Sequence, residues 1–361
     1  MTVSQQACRP VLAADTKRTS ALRRVPAGLA VRVVEQCGLE GDVCAFALAS
    51  GAAPLSAEAV TGRAMTIAPG DVFLGTPGHR ESTRWVVGSV PDGGLVPGSA
   101  YWVLADCGAV GAFIGDSPRE KGHLGQVTFL GTVQDADRAG LNIRQFAVGA
   151  GSGMAGSGGP GSSGAGPGAV EDRGAPVFLV VGTSSEVGKT TAAVNILRAL
   201  RKSRRQRVVA LKATGTSSLT ELHSYEDNGA APCFDCVDFG LPTTYPSGRP
   251  DIGLVFEAAL DVCLSADADA VLVECGGDIL GANVPVFLAG LGRRRPDAKV
   301  ILVASDSLAA LGAKTVLGEM GLAVTLVTGP CTDTPTIQQR TRDLCGLPAL
   351  NLARGGAPAL F

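Results

Sequence analysis

Neither sign of charge dominates this sequence of 361 residues, because 31 lysines and arginines stand against 33 aspartates and glutamates. Proteins that bind by neutralising a nucleic-acid backbone usually have a large basic excess, so we expect no nucleic-acid partner. No apolar run approaches the ~18 residues that a membrane-spanning helix needs, so we expect no membrane partner. The first 24 residues lack the hydrophobic segment of an export signal. We therefore expect a cytoplasmic protein, with a basic organelle transit peptide as the alternative.

The ten cysteines are too scattered along the chain to predict a disulfide framework. Without an export signal they are best interpreted as reduced thiols, most of them small buried apolar residues. Cys233 and Cys236 form one CxxC pair, but zinc would need two more ligands and no second pair lies nearby. We favour plain thiols over a metal or redox role for this pair.

Glycine is abundant, and 10 of the 49 glycines fall in residues 149–168. Such a segment has too much entropy to lose and too few side chains to bury, so it predicts a flexible tether. With the tether as the main boundary, we divide the chain into four parts. They are an N-terminal extension (1–24), a smaller domain (25–148) that could bind an acceptor molecule, a Gly/Ser-rich linker (149–174) and a C-terminal domain (175–361).

Short apolar runs separated by turn dipeptides fill residues 25–148, with a spacing of about 8–15 residues. This pattern is typical of a mainly-β sandwich or barrel. One loop in this part, residues 78–84, contains a histidine and two arginines. Arginine forks suit carboxylate and phosphate, so the loop could line an anion pocket. A solvated turn is the simpler interpretation, and we prefer it.

The pattern changes after residue 175 to apolar strands that alternate with amphipathic helices. The strands fall at 176–182, 207–213, 270–276, 299–306 and 323–329, and the helices begin near 188, 251, 284, 307 and 334. This alternation predicts an α/β fold with a doubly wound parallel sheet. Ligands of such sheets bind at the carboxyl ends of the strands.

The sequence between the first strand and the first helix, GTSSEVGKTT, has the features of a phosphate-binding loop. Its glycines would let the backbone wrap the phosphates, while amide N–H groups and the helix N-terminus face the anion. Lys189 would reach the β- and γ-phosphates, and Thr190 would bind Mg²⁺. Counted from Gly182, the loop is one residue longer than the strict motif. The predicted nucleotide-binding residues are Gly182, Thr183, Ser184, Ser185, Glu186, Val187, Gly188, Lys189, Thr190 and Thr191.

The loop closely resembles that of dethiobiotin synthetases, which reads GTDTEVGKT, and the resemblance extends over about residues 176–355. The segment VVALKATG (208–215) is similar to that family's second strand, which ends in a lysine near the phosphates. The segment VLVECGGD (271–278) is similar to its strand ending in a glutamate that binds Mg²⁺. The resemblance implies ATP and Mg²⁺ as cofactors, with Lys212 and Glu274 joining Lys189 as catalytic residues. It also implies Thr190 and Glu274 as metal ligands.

Residues 236–240 (CVDFG) and 346–348 (GLP) also resemble a sister family. That family joins the same kind of P-loop domain to a different N-terminal domain, and some members are N-acyltransferases of amino acids. Asp238 is the best second acid for Mg²⁺, although Asp227, Asp235 and Asp251 compete with it. His223 could be an acid or base near the γ-phosphate, but a histidine on a helix surface is the simpler interpretation.

Three functions follow from these patterns. The favoured one is a kinase, or a ligase acting through an acyl or carbamoyl phosphate, that transfers the γ-phosphoryl group of ATP to a small anionic acceptor such as a carboxylate. The second is an acyltransferase that binds coenzyme A through the same loop and needs no Mg²⁺. The third is an ATPase switch or metallochaperone, a class that usually shows an extra loop lysine or paired metal-binding cysteines. This sequence lacks the lysine and has only one CxxC pair. Oligomeric state stays open, with a homodimer as one option because proteins of this fold often build sites across a dimer.

Overall fold

The structure, a computed structural model, describes residues 16–29, 31–82, 85–117, 125–149, 172–203, 205 and 207–354. Most of the predicted extension (1–24) and of the predicted linker (149–174) lies outside these residues. The chain forms two compact units. Unit 1 comprises Met1–Gly158, Thr216–Thr220 and Cys236–Pro246, and unit 2 comprises Gly159–Gly215, Glu221–Asp235 and Ser247–Phe361.

Among the described residues, unit 1 contains ten short strands, in line with the predicted mainly-β domain. Their bounds are β1 Lys17–Arg18, β2 Arg32–Val34, β3 Cys44–Ala47, β4 Leu55–Glu58, β5 Ala64–Ile67, β6 Val72–Pro77, β7 Val87–Ser89, β8 Ala100–Val103, β9 Ala109–Gly115 and β10 Gln126–Gln134. Five of them pair in the order β6-β3-β10-β8-β9, and β9 then pairs with β6. The five strands therefore close into a small barrel, which removes the open edges of a sheet. Strands β4 and β5 form a separate hairpin.

Aromatic side chains fill the middle of unit 1. The rings of Phe46 and Phe73 stack with their centroids 5.6 Å apart, and Phe129 lies at the same distance from Phe46. All three rings are fully buried. They come from three neighbouring strands, β3, β6 and β10, whose alternate residues point to one face. These contacts form the core of the mainly-β unit.

Two short segments of the C-terminal half belong to unit 1, although the tether alone would assign them to the P-loop domain. Thr216 and Thr243 form a β-bridge with each other. The Thr243 hydroxyl donates to the carbonyl of His79 at 2.8 Å. These contacts join residues that are distant in sequence, so a linear division of the chain at the tether does not predict them.

Glu58, at the end of β4, is a buried carboxylate that binds four donors of unit 1. It accepts from the amides of Leu219 at 2.9 Å and Thr220 at 2.8 Å, and from the Thr220 hydroxyl at 2.9 Å. The Ser20 hydroxyl donates to the same carboxylate. Leu219 and Thr220 begin a helix, whose first amides have no partner within the helix itself. Glu58 thus takes the place of an N-cap side chain.

We expect Glu58→Ala to lower the free energy of unfolding by roughly 2 kcal/mol or more, because it leaves buried donors without an acceptor. The corresponding fall in Tm is on the order of 5 °C. Thermal unfolding followed by circular dichroism measures this shift. Glu319→Ala is the control, because Glu319 is exposed at the end of a helix. Equal Tm values for the two variants would show that the Glu58 contacts contribute nothing.

The loop of residues 78–84 is described up to Ser82 and again from Trp85. The Arg80 guanidinium donates to the carbonyl of Leu104 and lies over the Trp85 ring, 5.7 Å from its centroid. These contacts tie Arg80 into its own unit, so they favour the structural interpretation of this arginine. Arg84 lies outside the described residues.

Unit 2 has the α/β architecture that the sequence predicts, with a parallel sheet between helices. Its strands are β11 Val177–Gly182, β12 Val208–Thr214, β13 Ala230–Asp235, β14 Ala270–Cys275, β15 Lys299–Val303 and β16 Val324–Thr328. Its helices are α1 Lys189–Lys202, α2 Leu219–Asp227, α3 Ile252–Leu264, α4 Val284–Arg294, α5 Ser307–Glu319 and α6 Pro335–Cys345, with the first two residues of α2 assigned to unit 1. The strand order is β13-β12-β14-β11-β15-β16, and every pair is parallel.

The strand order places β11 between β14 and β15, near the middle of the sheet. The loop after β11 is therefore flanked by the carboxyl ends of two other strands, where doubly wound sheets bind their ligands. Within the described part of the chain, no helix combines the length and the apolar character that crossing a bilayer requires.

Strand β13 is absent from the sequence prediction, and helix α2 enters it only through the interpretation of His223 as a residue on a helix surface. A weak signal for α2 exists, because Leu219, Leu222 and Tyr225 recur every three residues and all three are buried. Strand β13 is an edge strand that contains Pro232 and two exposed residues, so it lacks the apolar run of a central strand.

Candidate functional site

The predicted phosphate loop joins β11 directly to α1. All six residues of β11 are buried, and α1 begins at Lys189 immediately after Gly188. Gly188 has a φ of 97°, a left-handed conformation that favours glycine. A Cβ at Gly182 would lie 2.8 Å from Cδ of Lys189, so any larger residue there would displace the lysine side chain from its position over the loop. The two glycines thus let the chain turn tightly under the lysine.

The Lys189 side chain folds back over this loop. Its ammonium donates to the carbonyl of Ser184 at 2.8 Å, and the residue is only 6% exposed. Burial lowers the pKa of Lys189, the neighbouring Glu274 carboxylate opposes that shift, and Lys212 adds to it. The ammonium is therefore a cation held inside the loop, where it can meet a phosphate group.

Thr190 and Glu274 come together at the start of α1 and the end of β14. The Thr190 hydroxyl donates to Oε1 of Glu274 at 3.0 Å, and Glu274 is 2% exposed. Burial raises the pKa of Glu274, and Glu221 adds to this, while Lys212 and Lys189 act in the opposite direction. The structure thus brings the two metal ligands suggested by the sequence into direct contact.

Lys212 lies beside Glu274 because β12 and β14 are neighbouring parallel strands in which these residues are paired in register. Its ammonium is buried and donates to Glu221, on the first turn of α2. Burial alone would lower the pKa of Lys212, but the carboxylates of Glu221 and Glu274 outweigh it and raise the pKa. Lys212 therefore stays charged at the strand ends, close to Lys189.

Sequence reasoning missed two residues of this cluster, Glu221 and Tyr225, because it gave helix α2 neither bounds nor a buried face. Tyr225 is fully buried, and its hydroxyl donates to Oε2 of Glu274. Burial raises the pKa of Tyr225, and the Glu274 and Glu221 carboxylates add to this effect, so the hydroxyl keeps its proton. Each strand-end group thus has a partner on α2, Glu221 for Lys212 and Tyr225 for Glu274.

A cavity of about 280 Å³ opens beside the phosphate loop. This volume is slightly below the ~300 Å³ at which the usual range of ligand pockets begins, so it suits a part of a nucleotide. The cavity follows β16, and the Asn351 side chain on its wall donates to Asp333 at 2.9 Å. Its lining residues are Glu186, Val187, Gly188, Thr191, Ala192, Thr328, Gly329, Pro330, Asp333, Asn351, Leu352 and Ala353.

Asp238, the second acid that the sequence analysis favours, lies in unit 1. Its carboxylate pairs with Arg23 at 2.7 Å and with Arg24 at 3.4 Å. These arginines compensate its charge, so Asp238 has a structural partner independent of any metal ion. The described residues contain no group of three or more His, Cys, Asp or Glu side chains arranged to hold a metal ion.

His223 lies on α2 with its side chain 45% exposed, and its Nδ1 is 2.8 Å from Glu226 of the same helix. A histidine with this exposure and a partner three residues away is typical of a helix surface. The geometry agrees with the simpler of the two interpretations.

The family model described as the CobQ/CobB/MinD/ParA nucleotide-binding domain matches residues 178–341. The match covers β11 to α6, and so it includes the phosphate loop, Lys212 and Glu274. It is broader than the resemblance to dethiobiotin synthetases, which stays a prediction. No curated protein matches the chain.

Solved structures similar to this chain include three FtsY proteins. The signal recognition particle receptor FtsY from Elizabethkingia anophelis is 21% identical over 44% of this chain and 51% of its own, with a TM-score of 0.29. Chloroplast FtsY from Physcomitrella patens is 16% identical over 50% and 59%, with a TM-score of 0.35. Cell division protein FtsY from Thermotoga maritima is 19% identical over 50% and 62%, with a TM-score of 0.33. The chain thus spans about half to three fifths of these structures, and TM-scores this low carry no argument about function.

The family match and the geometry agree on the C-terminal half of the chain. A buried strand, a glycine-bounded loop, a lysine folded over it and a carboxylate beside the first threonine of the next helix are the parts of a nucleotide site. The C-terminal part of this protein is therefore a P-loop α/β domain, and its residues 178–341 match the CobQ/CobB/MinD/ParA nucleotide-binding domain model.

Proposed function

We propose that this protein is an ATP- and Mg²⁺-dependent enzyme that transfers the γ-phosphoryl group to a small anionic acceptor. The acceptor would be a carboxylate or a similar oxyanion, and the product is either released or consumed as an acyl or carbamoyl phosphate. The observation that carries the proposal is the contact between Thr190 and Glu274, whose oxygens lie 3.0 Å apart beside two buried lysines.

The oxygen pair fits a magnesium ion. Mg²⁺ binds oxygen at about 2.0–2.1 Å in octahedral geometry, so two adjacent ligands lie roughly 2.9 Å apart. The separation of Thr190 Oγ1 and Glu274 Oε1 is close to that value. When bound there, Mg²⁺ would neutralise charge on the β- and γ-phosphates. Thr190 and Glu274 would hold it, and water and phosphate oxygens would complete its coordination.

The two lysines supply the remaining positive charge. Lys189 would give up its bond to the Ser184 carbonyl and contact the phosphates. Lys212, held at the strand ends by Glu221 and Glu274, would face negative charge on the transferring group or on the acceptor. Such fixed cations act mainly by positioning and by electrostatic stabilisation, the main contributions to catalysis of phosphoryl transfer.

The same observations weigh against the other two functions. An acyltransferase that uses the loop for coenzyme A needs no Mg²⁺, so the Glu274 carboxylate beside Thr190 favours the Mg²⁺-dependent enzyme. A switch ATPase of the MinD type would be expected to have a second lysine in the loop, and residues 182–188 contain none. The resemblance to dethiobiotin synthetases, which involves the same loop, Lys212 and Glu274, also favours transfer to an anionic acceptor.

The experiment is to incubate the full-length protein with ATP, Mg²⁺ and pools of small carboxylic acids and to measure ADP. We expect ADP release that depends on one pool and that stops when EDTA removes Mg²⁺. Lys189→Ala run in parallel identifies contaminating ATPases. Turnover of an acyl-coenzyme A that is indifferent to EDTA would overturn the proposal in favour of the acyltransferase.

A further inference from the structure

Tyr225 is a fully buried side chain whose only polar atom, the hydroxyl oxygen, donates to Oε2 of Glu274. The other carboxylate oxygen, Oε1, accepts from the Thr190 hydroxyl. The two oxygens of Glu274 therefore have different partners on two different helices, α2 and α1. A carboxylate tied at both oxygens cannot turn freely about its last bond.

Helix α2 holds Tyr225 in place by ordinary packing. Leu222, one turn earlier, is 3% exposed, so this face of the helix belongs to the core. The same helix carries Glu221, which binds Lys212 next to Glu274 in the sheet. One helix thus supplies a hydrogen-bonding partner to each of the two charged groups at the ends of β12 and β14.

We infer that Tyr225 is a positioning residue for magnesium binding, because its hydroxyl fixes Oε2 of Glu274 and so aims Oε1 at Thr190. This inference rests on the proposed function, since it assigns Glu274 to the metal. Ligating carboxylates are commonly held by such outer hydrogen bonds, and loss of one weakens metal binding by roughly 10–100-fold. A phenylalanine would fill the same space, so the hydroxyl is the part of Tyr225 that the inference concerns.

The test is Tyr225→Phe, which removes one oxygen and keeps the ring. Calorimetric titration with a non-hydrolysable ATP analogue is repeated at increasing Mg²⁺ concentrations. The affinity for the analogue is expected to rise with Mg²⁺, and the Mg²⁺ concentration that gives half of this rise is the measured quantity. We expect this concentration to rise roughly tenfold in the variant. Binding of the analogue in EDTA should stay at the wild-type value, because the phosphate loop is unchanged. If Tyr225 had a purely structural role, the variant would bind the analogue more weakly both with Mg²⁺ and in EDTA.

Tyr101→Phe is the matched control. Tyr101 is also a buried residue, and its hydroxyl accepts from the amide of Val96 at 2.9 Å, but it lies in unit 1. We expect this variant to match the wild type in both titrations. The inference is overturned if Tyr225→Phe has the wild-type Mg²⁺ dependence. Wild-type protein whose nucleotide binding ignores Mg²⁺ would instead overturn the proposed function.

A measurement on the protein with Tyr225 intact covers the case in which the variant does not fold. The chain has three tyrosines, so labelling with 3-fluorotyrosine gives a fluorine NMR spectrum of three resonances. Tyr101→Phe and Tyr245→Phe assign the Tyr225 resonance by elimination. We expect Mg²⁺ together with the ATP analogue to shift this resonance beyond the shift caused by the analogue alone. An unmoved Tyr225 resonance, with nucleotide bound, contradicts the inference.

Discussion

Lys189→Ala should reduce ADP release by at least roughly 10²-fold while leaving the fold intact. Lys189 is the ammonium enclosed by the phosphate loop, with its pKa lowered by burial. Its removal takes away a preorganised donor at the place where negative charge gathers during transfer, and a loss of that kind costs about 10²–10³-fold in rate. Steady-state ADP release at saturating Mg²⁺ measures the effect.

Lys202→Ala is the matched control for this prediction. Lys202 is an exposed lysine in the last turn of the same helix, α1, so the substitution is chemically identical and lies at the other helix end. We expect it to keep the wild-type rate. A Lys189→Ala protein with an unchanged rate would mean that the loop does not carry the chemistry.

Glu274→Gln should raise the Mg²⁺ concentration for half-maximal activity by roughly tenfold or more. The amide keeps the size of the side chain and can still accept from Thr190, but it lacks the charge that attracts the cation. Nucleotide binding in EDTA should change only modestly. Without Mg²⁺, Glu274 acts on the nucleotide only through its neighbours, which are Thr190 and Tyr225 by hydrogen bond and Lys212 by strand register. The measurement is a Mg²⁺ titration of activity at fixed ATP.

Glu319→Gln provides the comparison, since it makes the same change at an exposed position on α5. Its Mg²⁺ curve should superimpose on that of the wild type. If the Glu274→Gln curve does so as well, Glu274 lies outside the coordination sphere of the metal. Asp238 would then be the next acid to test, despite its pairing with Arg23.

Much of unit 2 could be predicted because its signals are local. The buried run of β11, the glycines of the loop and the apolar spacing of α1 lie within 30 residues, and the structure has each within a few residues of its predicted bounds. The position of Glu274 at the end of a buried strand could be predicted because it follows an apolar run. The parallel α/β class follows from alternation alone and is confirmed.

The remaining features depend on contacts that are distant in sequence. Tyr225 and Glu221 belong to the site only because α2 packs against the ends of β12 and β14, and no local pattern reveals that packing. Likewise Glu58 binds Thr220 across 162 positions of the chain. Such pairings are decided by which buried donors find acceptors in the folded protein, a property that the spacing of apolar residues does not contain.

Calorimetric titration of the full-length protein with ATP, with and without Mg²⁺, tests the central claim most directly. The claim is that the phosphate loop, Thr190 and Glu274 form one site for ATP and Mg²⁺. We predict one ATP bound per chain, tighter binding in Mg²⁺, and loss of that binding in Lys189→Ala. ATP that produces no binding heat, while coenzyme A binds equally well with and without Mg²⁺, would contradict it.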